Sequence, residues 1–280
     1  MKRHPTQQGF TLVEMIMVIV ITGIIGSMVA VFLKAPIQQY MDVSRRADMS
    51  DIADTALRRI TRDLRLALPN SVRVAGTCNP ALSTSTCFIE FLPTKAGGRY
   101  RVGAGGTDDF LNFDAPDSTF EVMLGVMPTR VAGDQIVVYN LGIPGADAYA
   151  GSNRSAFSGN TPTIITIAAF QFPFDSPGHR FHAIDTPVTY ACDGLGNLWR
   201  YWGYVIQDVQ TKTDTIAKLN ALVAAQGETS LLATNVSSCR FAYDGWVVAQ
   251  RSGLVTMNLG ITEDNETVNL YSATHVSNVP

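Results

Sequence analysis

The stretch QQGFTLVEM, residues 7–15, holds an acid where few sequences keep one. Glu14 is the only ionisable side chain in the twenty-four residues from Phe10 to Leu33, a run rich in Val, Ile and Met. A carboxylate at the centre of a lipid-exposed span costs roughly 3 kcal/mol on insertion scales. Glu14 lies near the start of the run, where a helix dipole favours an anion and lowers that cost. A charge kept within a membrane segment has a partner as a rule. The nearest cation the chain can supply is an amino terminus, which would exist if the backbone were cut between Gly9 and Phe10. Two readings stand at this point: an acid tolerated near the membrane interface, or a chain cut there so that a new amine pairs with the carboxylate.

Other residue types with chemical potential lie further along. Cys78, Cys87, Cys192 and Cys239 allow three pairings. No C-x-x-C spacing occurs, which argues against zinc, and an even number fits disulfides in an oxidising compartment. Cys78 and Cys87 would close a short loop of Pro, Ser and Thr, leaving Cys192 and Cys239 to join two strands; that pairing is expected. His179 and His182 would point to opposite faces of a strand, a poor arrangement for a shared metal. Asp108, Asp109, Asp114 and Asp117 offer the hard oxygens that calcium takes. They lack a recognised loop spacing, and a solvated loop is the better reading. KAGGRYRVGAGG is rich in glycine but precedes no helix, which disfavours a phosphate cradle. The sequons at Asn153, Asn235 and Asn265 are what chance supplies in a chain of 280 residues. No catalytic constellation emerges, no metal or cofactor is expected, and the chain reads as a non-enzyme.

The elements that position these residues follow from pattern. About 20 apolar residues cross the hydrocarbon core of a bilayer, so Phe10–Leu33 is long enough. No small-x-small cleavage site follows it, as a secretory signal would require, so the span is expected to be retained. Beyond Lys34, apolar residues recur at Met49, Ile52, Ala53, Ala56, Leu57, Ile60, Leu64 and Leu68, the spacing of one helical face. Pro69-Asn70 ends that run, and Pro36 predicts a kink near the membrane surface. Six arginines between residues 45 and 65 alternate with five aspartates between 42 and 63, without interleaved aromatics. A solvated or intersubunit face is expected there, and no nucleic acid. Residues 67–280 hold 12 basic and 18 acidic side chains, a net charge of −6. Short β-branched and aromatic runs such as CFIEFLP, QIVVYN and TIITIAAF predict strands. FAYDGWVV predicts a two-residue hairpin at Asp244-Gly245, and TDTIAKLNALVAAQG a short helix.

The nine-residue basic leader ending in Gly9, then FTLVE and the apolar run, resembles the type IV prepilin family. The resemblance implies that a prepilin peptidase cuts after Gly9 and methylates the Phe10 amine. It also implies that Glu14 pairs with the amine of a neighbouring subunit during assembly. Within the head, RRITRDLRLALPNSVRV, FLPTKAGGRYRV, IVVYNLGIPGADAYAG and HVSNVP are similar to minor pilins of mannose-sensitive haemagglutinin (MSHA) pili. The expected organisation is a leader at 1–9, a membrane half-helix at 10–33, an amphipathic half-helix at 34–68 and a β-rich head at 69–280. The fold class is α+β, a long N-terminal helix packed on an antiparallel head. The implied protein sits in a bacterial inner membrane with its head in the periplasm, and then in a pilus that supports surface attachment. Its partners would be other pilins, the peptidase and an inner-membrane assembly platform. A pseudopilin of type II secretion and a membrane-tethered periplasmic binding protein are the alternatives.

Overall fold

The computed structural model describes residues 9–82, 84–103, 109–125, 129, 131, 133–245 and 252–280. Leader residues 1–8, Asp108 and the second arm of the hairpin expected at Asp244-Gly245 lie outside them. The architecture is α+β. Helix α1 (Leu12–Leu64) runs unbroken, with Pro36 inside it. The chain divides into two compact units within this helix, between Asp48 and Met49.

In the first unit, every residue from Phe10 to Leu33 is exposed. The most apolar window of the helix has a mean hydropathy of 2.7, with none of it buried. Its few polar side chains turn inward to the backbone. Thr22 Oγ1 donates to the Val18 carbonyl at 2.5 Å, and Ser27 Oγ to that of Ile24 at 2.8 Å. Such internal satisfaction is what a helix requires where no water is available.

In the second unit, Met49, Ala53, Ala56, Leu57, Ile60 and Leu64 are buried. Ile52, which the spacing assigned to the same stripe, is 39% exposed. At 100° per residue it falls about 60° from Met49, on the side away from Leu57, and so sits on the rim of the face. The head then follows as β1 (Arg73–Gly76), β2 (Cys87–Phe91), β3 (Thr94–Tyr100), β4 (Asp117–Gly125) and β5 (Gln135–Val138). Next come β6 (Arg154–Asn160), β7 (Ile164–Phe170), β8 (Arg180–Ile184), β9 (Val188–Cys192) and β10 (Leu198–Trp202). Helix α2 (Ile216–Ala225) precedes β11 (Glu228–Ala233), β12 (Val236–Asp244), β13 (Ser252–Glu263) and β14 (Glu266–Ser277). Thr215 caps α2 by accepting from the Lys218 amide, as threonine does at this position.

These strands make a five-stranded sheet in the order β1-β2-β9-β10-β11, a three-stranded sheet β12-β13-β14, and a closed barrel β3-β4-β7-β6-β5-β8. The barrel occupies the chain between β2 and β9, which are themselves antiparallel neighbours with Phe91 opposite Val188. It is thus an insertion into the five-stranded sheet. The main core joins the helix stripe to Ile89, Phe91 and Tyr190 of that sheet and to Phe241, Val255, Met257 and Leu259 of the three-stranded one. The barrel is filled by its own aromatics, including Phe120, Phe157, Phe172 and Phe181. Asp63, near the end of α1, accepts from Tyr190 Oη at 2.7 Å and from Arg200 Nε at 3.1 Å. A second polar tie is fully interior: Glu90, 1% exposed, pairs with Arg73 at 3.0 Å and accepts from Thr213.

The β13–β14 connection is a two-residue turn. Glu263 pairs with Glu266, and Asp264 and Asn265 have φ of 48° and 65°, the geometry of a type I′ hairpin. The hairpin expected at Asp244-Gly245 is different. Tyr243 pairs with Val255 and Asp244 with Leu254, so the reversal is wider than two residues, and Gly245 belongs to its first side.

Two disulfides lock the head, Cys78–Cys87 and Cys192–Cys239. Cys87 and Cys192 face one another in register on β2 and β9, yet each is bridged elsewhere. Gly76 makes room for the first bridge: at φ 96°, a Cβ there would run into the Thr86 carbonyl. The second bridge spans a separation of 47 residues and ties the two sheets together. Cys239→Ser is expected to lower stability by about 2–4 kcal/mol, read as a shift in urea midpoint. An unchanged midpoint would show that packing alone holds the sheets.

In the barrel wall, His182 has an interior Nε2 with no hydrogen-bond partner among the described residues. Burial, reinforced by the Arg180 charge, pushes its imidazole down to about 4. The unfolded chain therefore takes up a proton near pH 6.5 that the native ring refuses until about pH 4. Stability is lost as pH falls through that window, by about 3 kcal/mol, and the loss levels off below it. His182→Leu should lose correspondingly less stability than wild type between pH 7.5 and pH 4 in chemical denaturation. Parallel losses in both proteins would remove this histidine from the acid response.

Candidate functional site

The site is built where extended chain passes into α1. Gly9 and Phe10 precede the helix, and Phe10 is 82% exposed. Among the described residues, nothing lies within 4 Å of where a Cβ on Gly9 would stand. No described residue packs on the Gly9–Phe10 peptide bond, which is exposed on the helix side.

Helix entry is organised by the residues just after it. The Glu14 amide donates to Thr11 Oγ1 at 3.3 Å, and the Met15 amide to the Thr11 carbonyl at 3.2 Å. Thr11 thus acts as N-cap, and Thr11-Leu-Val-Glu14 has the spacing of a capping box. Glu14 lies in the first turn of α1 and is exposed, at the positive end of the helix dipole. The carboxylate faces outward from a helix with no other charge before Lys34, and is available to a cation from another chain. Sequence reasoning singled out Glu14 and passed over Thr11, although the T-x-x-E spacing was there to be read.

The remaining candidate residues do not converge on this region. The cysteines are engaged in the two bridges of the head. His179 precedes β8, with Nδ1 3.4 Å from Asp175, while His182 is within the strand. Asp117 spends its carboxylate on the amides of Asn112, Ser118 and Thr119, a loop-capping role. Asp108 lies outside the described residues. Among the described residues, no group of three His, Cys, Asp or Glu side chains is placed to hold a metal ion. KAGGRY forms β3 of the barrel, and the sequon Asn153 is fully buried, donating to Asn140.

Comparison with known proteins bears on the same end of the chain. Residues 5–30 match the prokaryotic N-terminal methylation motif. No curated protein and no solved structure matches the chain. The matched segment contains Gly9, Phe10, Thr11 and Glu14 together with most of the apolar run. An N-terminal methylation motif on a long apolar helix, followed by an antiparallel β-rich head, supports a pilin- or pseudopilin-type protein anchored in a membrane.

Proposed function

We propose that this chain is a minor pilin of an MSHA-type type IV pilus. In this reading a prepilin peptidase cuts after Gly9 and methylates Phe10. The apolar half of α1 holds the subunit in the inner membrane with its head in the periplasm, and Glu14 pairs with the amine of a neighbouring subunit as the fibre grows. The observation that carries the reading is the methylation motif at residues 5–30, placed at an exposed scissile bond and a helix whose first turn holds one acid. Disulfides in the head suit an oxidising compartment. The narrower assignment rests on the resemblance of short stretches such as FLPTKAGGRYRV and HVSNVP to MSHA minor pilins.

Size supports a place at one end of the fibre. A head of this length has a radius of gyration of roughly 17 Å by the usual scaling. Neighbouring helices in a bundle are only about 8–10 Å apart. One copy at an end has room that a copy at every step would not. A strain lacking the gene, scored for pili and for secreted proteins, separates this role from that of a type II secretion pseudopilin: loss of pili with normal secretion is expected.

Gly9→Val should leave a folded but uncut protein. A side chain at residue 9 meets open space within the subunit and crowds only the peptidase. Intact mass of membrane-extracted protein is the readout. A processed, methylated Gly9→Val chain would contradict the assigned cleavage site.

Glu14→Val should insert as well as wild type or better, since it removes the cost of a carboxylate in lipid, yet pilus number should fall several-fold. Near-normal piliation with Glu14→Val as the sole copy would mean that the acid is merely tolerated.

A further inference from the structure

One face of the barrel concentrates positive charge on a head that is otherwise acidic. On β3 and β8, Arg99 is the register partner of Arg180. Directly opposed residues of an antiparallel pair project from the same face with Cβ atoms about 5 Å apart, and like charges so placed repel. Neither guanidinium takes part in a hydrogen bond or ion pair among the described residues. Four other arginines of the head are engaged: Arg73 by Glu90, Arg101 by Glu121, Arg200 by Asp63, and Arg154 by the Ala148 carbonyl. Among the described residues this pair, on a domain of net charge −6, has no acid against it, unlike Arg73, Arg101 and Arg200.

Arg180 also lines an open cavity of about 550 Å³ with Tyr139, Leu141, Pro177, Asn278 and Val279. That volume is in the range of small-molecule sites, which combine apolar walls with a few polar groups. One residue lining the cavity, Tyr139, is held in the left-handed region at φ 51°, and so is His179 at φ 54°, which precedes Arg180 in the chain but does not line the cavity. Such conformations persist where surrounding structure enforces them, and they cluster at ligand sites. Tyr139, Leu141 and Pro177 offer surfaces for a sugar-sized ring, while the Asn278 amide is held by Tyr243 Oη.

We propose that Arg99 and Arg180, with the cavity beside them, bind a small oxyanion ligand, either the carboxylate of a sugar acid or a free inorganic oxyanion. Guanidinium forks match planar oxyanions in two-pronged hydrogen bonds, and the bound charge relieves the repulsion between the two arginines. The inference does not depend on the pilin assignment, because it concerns the barrel and is read by binding in vitro.

The test uses the full chain in detergent micelles, titrated calorimetrically with glucuronate, with glucose as the uncharged analogue and with inorganic phosphate. Saturable 1:1 binding of glucuronate is expected, weakened at least tenfold in Arg180→Gln and in Arg99→Gln, with no binding of glucose. Glucuronate binding much tighter than phosphate assigns the ligand to the sugar acids. Equal binding of the two, with the same loss in the variants, assigns it to free oxyanions. Should either arginine variant lose its cooperative melting transition, Val279→Trp, which fills the cavity and leaves both arginines in place, is expected to block glucuronate. No saturable binding of either anion, or binding unchanged in all three variants, overturns the site.

Discussion

The head depends on one contact above all: the apolar face of α1 from Met49 to Leu64, which shares one core with the five-stranded and the three-stranded sheet. Neither sheet could stand alone in water, because each has an apolar face that needs covering, and the helix supplies both covers at once. The six buried residues of that face recur at three- and four-residue steps, which is the only period a helix can offer to a flat partner. Asp63 adds direction to what hydrophobic contact leaves loose. By accepting from both Tyr190 and Arg200, it sets the rotation of the helix end against β9 and β10. Cys192–Cys239 then joins the two sheets where β12 comes against β2, the Phe241 amide donating to Cys87 Sγ at 3.2 Å.

Much of this was legible in sequence where the signal is local. The helix stripe, the short helix around Leu219, and the alternation that makes β13 and β14 all announce themselves within a dozen residues. The barrel was not legible. Its strands pair in an order unrelated to their sequence, and β3, with two adjacent glycines in KAGGRY, has few of the branched residues that mark a strand. The turn at Asp244-Gly245 failed for a related reason. Two residues with good turn chemistry do not decide register when the partner strand is twelve residues long and locked in place by β14 on its other side.

The N-terminal motif is the opposite case. Its residues act through type and spacing, with no tertiary contact needed, so they can be read directly from nine or ten letters. Arg99 and Arg180 are eighty-one positions apart and share nothing in the sequence; only the pairing of β3 with β8 makes them neighbours. Sites of that kind are invisible until the strands are ordered.

The insertion of the barrel between β2 and β9 has a consequence for how such a molecule can vary. Because Phe91 and Val188 are partners in register, the chain leaves the five-stranded sheet and returns to it at adjacent points. A short turn joining those two residues would convert β2 and β9 into an ordinary hairpin without altering a single pair in the sheet. Everything between is therefore a detour, tied to the layers beneath it at a few places such as Tyr149 under Arg73 and Asn140 at Pro69, and insertions with neighbouring ends are the kind that folds tolerate. The helix-and-sheet chassis can keep its shape under selection for assembly while the barrel is enlarged, trimmed or exchanged under selection for whatever it meets.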